Sequence, residues 1–135
     1  MDAREVLAAG AAGFALSGIP STVHALATGG SVLEGARAAG TILLPRERRT
    51  LPLLASATIA HAALSFGWAA VLAALVPRRR PVASSIAGGL AIAALDLGVI
   101  GRCIPAIAAL RTAPQVADHV AYGAAVGLAL RRSRG

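Results

Sequence analysis

The sequence predicts an all-α integral membrane protein, a bundle of about four transmembrane helices with a short interfacial helix in its first loop. Three observations carry this expectation. The 135-residue chain is 56% hydrophobic, with a mean hydropathy of +0.70. Only 14% of its residues are charged, where a soluble domain carries about a quarter, so charge is too sparse to coat a globule. The charges also gather between apolar stretches, several of which reach the roughly 20 residues needed to cross a bilayer. The length allows one domain, residues 1–135.

The net charge of +7 comes from arginine alone, since there is no lysine. A basic balance can indicate nucleic acid. Here the arginines lie in short clusters beside apolar runs, as membrane-flanking charges do, so no nucleic-acid partner is expected. The all-Arg, Ala-rich usage points to a GC-rich bacterial genome and hence to the bacterial cytoplasmic (inner) membrane. The lone Cys103 excludes an intrachain disulfide and offers no metal framework. Ala and Gly are abundant while aromatics are 3%; small residues let membrane helices approach closely.

The first span is expected over about residues 6–26, kinked at Pro20 and ended by Gly29-Gly30. A cleaved signal peptide is the competing reading of this stretch, but Asp2-Ala3-Arg4-Glu5 lacks the usual positive start. Residues 31–44 are too short and too charged to span. Val32, Leu33, Ala36, Ala39 and Leu43 fall near helical spacing, which predicts a helix lying in the interface, with a re-entrant hairpin as the alternative. Pro45-Arg46-Glu47-Arg48-Arg49 is a loop. The second span, 51–76, is uncharged throughout and closed by Pro77 and Arg78-Arg79-Arg80. The third runs over 81–101 with Asp96 inside it. Residues 102–113 connect it to a fourth, shorter span over 114–130, which ends on Arg131-Arg132-Ser133-Arg134.

Four spans place both termini on one side. That side holds Arg4, Arg78, Arg79, Arg80, Arg131, Arg132 and Arg134; the other holds Arg37, Arg46, Arg48, Arg49, Arg102 and Arg111. The two sets are nearly balanced. The first set abuts its spans directly, and Glu34 and Glu47 dilute the second, so cytoplasmic termini are expected. A faint duplication runs through the chain. Ile19-Pro20, Pro52, His61 and Phe66-Gly67 are echoed by Ile104-Pro105, Pro114, His119 and Tyr122-Gly123 at unequal spacings; coincidence in so Ala-rich a chain is the simpler account.

Ionisable groups within spans point to a function or a partner. His61 lies about 15 Å into its span at 1.5 Å per residue. Together His24, His61, Asp96, Asp118 and His119 occupy the half of the bundle opposite the termini, which makes them a candidate polar intramembrane cluster. Small residues mark the packing faces: Gly10, Gly13 and Ser17 in the first span, Gly89 in the third, and Gly123 and Gly127 in the fourth. Interhelical hydrogen bonding is the simplest role for the polar groups. A proton- or ion-coupled site on Asp96 and His61 is the sharper one, and either His61 or Arg102 could stabilise the Asp96 carboxylate. Metal or haem ligation has little support, because the histidine spacings match no ligand motif; no metal and no cofactor are expected. There is no GxSxG, P-loop or HExxH signature, so no catalytic residue is assigned and no enzyme is expected.

The final span carries His119, Tyr122, Gly123 and Gly127 in a His-x-x-Tyr-Gly-x-x-x-Gly pattern. It resembles the last helix of small four-span bacterial inner-membrane proteins of uncharacterised function. The resemblance covers about ten residues and implies membrane location and helical fold alone. The function expected is that of a structural or accessory membrane protein acting through helix–helix contacts, with the lipid bilayer and itself or another membrane protein as partners. A small oligomeric proton- or ion-coupled transporter is the alternative, and a redox membrane anchor the third.

Overall fold

The computed structural model describes residues 2–135. Seven α-helices follow one another: α1 (Ala3–Leu16), α2 (Ile19–Thr28), α3 (Glu34–Gly40), α4 (Thr50–Leu75), α5 (Pro81–Leu95), α6 (Pro105–Ala108) and α7 (Thr112–Arg134). A π-helical turn (Asp96–Ile100) and a 3-10 turn (Gly101–Cys103) continue α5. No strand occurs among the described residues. Proline punctuates the chain: Pro20, Pro52, Pro81, Pro105 and Pro114 all lie in the first turn of a helix. A missing N–H is harmless there, because the first turn has no intrahelical acceptor for it.

Three helical segments are long and apolar enough to cross a membrane: Ala3–Thr28, Thr50–Leu75 and Pro81–Cys103. The stretch expected as a fourth span lies within α7, which is 23 residues long. It does not join the other three on apolarity, because Gln115, Asp118, His119 and the closing arginines interrupt its hydrocarbon.

The first segment is two helices where one kinked helix was expected. Pro20 has no N–H to return to the Leu16 carbonyl, so the ladder breaks. Gly18 sits at φ −80°, ψ 2° and caps α2; its carbonyl accepts Thr22 N–H at 3.2 Å and Thr22 Oγ1 at 2.8 Å. At the far end Gly29 takes φ 70°. Gly30 N–H then donates to Ala25 O at 2.8 Å, the closure that a left-handed glycine permits.

Residues 31–44 hold a shorter helix than expected. Only Glu34–Gly40 is helical, and it lies against α4. A Cβ on Gly40 would stand 2.2 Å from Leu53 O, so glycine alone admits this approach. Ser56 Oγ donates to Gly40 O at 2.7 Å and fixes it. Ala38 and Gly40 are the buried residues of α3, whereas Val32, Leu33 and Leu43 of the apolar pattern stay exposed.

The bundle is organised around α1, which packs antiparallel to both α4 and α7. On one side Gly10 faces the Phe66 ring; on the other Gly13 faces Tyr122 and Val126. Helices α5 and α7 also meet backbone to backbone, at three glycines. A Cβ on Gly89 would lie 2.3 Å from His119 O, one on Gly123 2.3 Å from Ser85 O, and one on Gly127 2.6 Å from Val82 Cα. This glycine seam lets two backbones touch where hydrophobic drive between helices is absent. The core is Ala9, Ala69, Leu72, Ile92, Tyr122, Val126 and Leu130. Outward lie Leu51, Ile59, Leu75 and Val99, each more than half exposed.

Candidate polar site within the bundle

Polar side chains in an apolar bundle must find partners, because an unsatisfied group in hydrocarbon is costly. Each expected member of the cluster can be followed to its partner.

Asp96 begins the π turn. Its Oδ2 lies 3.5 Å from His119 Nε2 on α7. The other ring nitrogen of His119, Nδ1, is 2.8 Å from Gln115 O. A carbonyl can only accept, so Nδ1 carries a proton. Neutral His119 then presents a lone pair at Nε2. A lone pair facing a carboxylate would repel it, so the contact is favourable only with one proton in the pair, on either the imidazole or the carboxyl. The two side chains are 20% and 22% exposed.

Asp118 is on α7, one residue from His119, and turns toward α2. Its Oδ1 accepts Ser21 N–H at 2.8 Å. That donor is one of the free amides at the start of α2, which Pro20 helps to open, so the carboxylate caps the second half of the broken segment.

His61 projects from α4 into the notch left by that break. Its Nε2 donates to Phe14 O at 3.1 Å, with Ser17 Oγ 3.4 Å away. The Phe14 ring lies 4.9 Å from the imidazole. Phe14 O is one of the last carbonyls of α1, and it receives no bond from the Gly18 N–H. The histidine thus fills an acceptor that the helix break exposes. Ser17, expected as a packing residue, is 6% exposed and shares this contact. His24 stays apart from the others: its Nε2 is buried with no partner among the described residues.

The structure therefore divides the expected cluster. Asp96 pairs with His119, whereas His61 or Arg102 was the expected neighbour. Asp118 and His61 each tie α1 or α2 to another helix. No group of three or more potential metal ligands occurs among the described residues.

Two polar ties lie beyond what the sequence reading identified. Tyr122 Oη donates to Ser65 O at 2.6 Å, joining α7 to α4 beside the Gly13 contact. At the other end of the bundle Glu5 and Arg134 form an ion pair with side chains 8% and 9% exposed. Arg134 also donates through Nη2 to Ala73 O at 2.6 Å and through Nη1 to Val76 O at 2.9 Å. The cause is local. Within α4 the Ala73 carbonyl would accept from residue 77, which is Pro77 and has no N–H. The guanidinium supplies the missing donor and caps the C-terminal end of α4. The signal for this tie was present in the sequence as a proline four residues after Ala73 and an acid near the start of α1.

Outside the helices, the loop before α4 has its own charge cluster. Glu47 accepts from the Arg49 side chain at 3.0 and 3.2 Å and from the Arg48 and Arg49 amides at 2.8 and 2.9 Å. The hydrogen bonds from Arg49, then that from Arg48, hold its carboxyl down to about 2. Comparison with known protein families, curated proteins and solved structures finds no match to this chain, so its function must be argued from the site itself.

Proposed function

We propose that this chain is a four-span protein of the bacterial cytoplasmic membrane with a structural or accessory role, working through helix–helix contacts and without catalysis of its own. One observation carries the reading: most members of the polar cluster, His24 excepted, are engaged across helix seams. Asp96 meets His119, Asp118 meets the Ser21 amide, His61 meets Phe14 and Ser17, and Tyr122 meets Ser65. Each contact ties one helix to another.

Helix α7 serves as the fourth span. Its 23 residues extend about 34 Å, enough for a hydrocarbon core of about 30 Å. Its polar groups turn toward α2, α4 and α5, which accounts for its lower apolarity. Glu5, Ala73 and Arg134 share one end of the bundle. The Arg78–Arg80 triplet and Arg131–Arg132 flank that end, which suits the cytoplasmic face. The partners are bilayer lipid and a second membrane protein or another copy of this chain.

A small proton- or ion-coupled transporter is a second reading, favoured by the partly exposed Asp96–His119 pair. Reporter fusions at Gly135 and after Arg80 are expected in one compartment, and a fusion at Arg48 in the other. A common compartment for Gly135 and Arg48 refutes four spans. Asp96→Asn keeps a hydrogen bond to His119 Nε2, so the structural role predicts unchanged folding and unchanged co-purifying partners from native membranes. A folded Asp96→Asn protein that loses pH-dependent transport in vesicles favours the second reading.

A further inference from the structure

Between the end of α5 with its π turn, α6 and the start of α7 lies an open groove of about 410 Å³. That volume is within the range of small-molecule sites, about 300–1,000 Å³. Its walls are largely apolar, with Leu90, Ala94, Leu97, Ile107 and Val116 among them. At Gly98, also in the lining, an added Cβ would meet nothing within 4 Å.

The groove contains one cation, Arg102. The nearest acid along the helix, Asp96, is taken by His119. The ion pairs among the described residues belong to Arg49, His119 and Arg134. Arg102 therefore has no internal counter-charge, and its side chain is exposed. An unpaired guanidinium is matched by a carboxylate or phosphate, which its planar fork of donors binds in bidentate fashion. Hydrocarbon walls are matched by hydrocarbon. Thr112 and Gln115 line the same groove and add hydrogen-bonding capacity.

We propose that this groove binds one acyl chain of an anionic amphiphile, with its carboxylate or phosphate on Arg102 and the chain along Leu90, Ala94 and Leu97. The inference goes beyond the structural role and depends on the membrane reading only for where the ligand comes from. A free fatty acid and an anionic phospholipid offer the same chemistry, and the test separates them.

The experiment is equilibrium binding of radiolabelled oleate to the purified full-length protein in maltoside micelles. Saturable binding at one oleate per chain is expected, with oleyl alcohol at least about tenfold weaker, since it keeps the chain and loses the charge-assisted hydrogen bonds. Arg102→Gln should weaken oleate about tenfold and leave oleyl alcohol unchanged. Gly98→Leu, placed in open space, should weaken both ligands by filling the groove. Arg111→Gln, outside the lining, should bind as the parent does. Gel filtration and circular dichroism establish that each variant is folded. Displacement of oleate by phosphatidylglycerol identifies a membrane phospholipid as the source, and failure to displace identifies a free single-chain acid. The proposal is overturned by absence of saturable oleate binding, by equal affinity for oleate and oleyl alcohol, by Arg102→Gln binding oleate like the parent, or by displacement with inorganic phosphate alone. The reporter fusions test the membrane reading independently of each of these outcomes.

Discussion

Replacing Arg134 by alanine removes three contacts at once: the ion pair to Glu5 and the donors to Ala73 O and Val76 O. The Glu5 side chain is 8% exposed, so its carboxylate would remain buried without a counter-charge. Breaking a buried pair from one side costs about 3–5 kcal/mol. The two carbonyls add about 1–3 kcal/mol each when left without a donor and without water. The terms share one side chain and do not add, so the expected loss is about 3–5 kcal/mol. Glu5→Gln should cost less, about 1–2 kcal/mol, because a neutral acceptor remains for Arg134 and both carbonyl bonds survive. The assay is reversible unfolding of the detergent-solubilised protein in increasing dodecyl sulfate, for the parent, both single variants and the double variant. Coupling between positions 5 and 134 should exceed about 1 kcal/mol. Additive effects, or a loss below about 0.5 kcal/mol for Arg134→Ala, would refute the claim that this tie closes the bundle.

Two further outcomes follow from geometry and charge. Gly123→Leu places a Cβ 2.3 Å from the Ser85 carbonyl, which as backbone cannot yield, and should destabilise by at least about 1–3 kcal/mol. Gly67→Ala points into open space and should be neutral or stabilising by up to about 1 kcal/mol; equal effects at the two sites in the same unfolding assay would disprove the glycine seam. The Glu47 carboxyl is held at about 2 in the folded loop, below the roughly 4.3 of an unfolded glutamate. Its contribution is therefore present above pH about 4 and lost as pH falls toward 2. Glu47→Gln should abolish that part of the acid dependence of stability, and an unchanged profile between pH 5 and 2 would exclude the Arg48–Arg49 cradle.

Much of the helix layout was legible because apolar runs and proline stops are local signals. The uncharged stretch 51–76 coincides with α4, Thr50–Leu75, since nothing within it offers an alternative to the helix. The glycines at 10, 13, 89, 123 and 127 all meet another helix closely, as small residues at i, i+3 and i+4 on one face would. Partner choice was less legible. Neither closeness in sequence nor depth reveals the neighbour of Asp96: which helices adjoin is a question of packing, and α5 lies on α7. The break after Ser17 was visible as a proline, yet its consequence was not: it opens a carbonyl for His61 and an amide for Asp118. The Glu5–Arg134 tie spans 129 positions, and no periodicity reports on a contact at that separation.

The placement of α1 between α4 and α7 has a consequence for how the protein is made. At a synthesis rate of about 5–20 residues per second, Arg134 leaves the ribosome about 6–26 s after Glu5. During that interval the Glu5 carboxylate has no Arg134 counter-ion, and until α4 is made neither flank of α1 is covered. Helix α4 can cover one flank as soon as it inserts. The other flank, with the cleft beside Gly13, must wait for α7, as must the Ser21 amide of α2. The helix at the centre of the finished bundle is thus the one that spends longest incomplete.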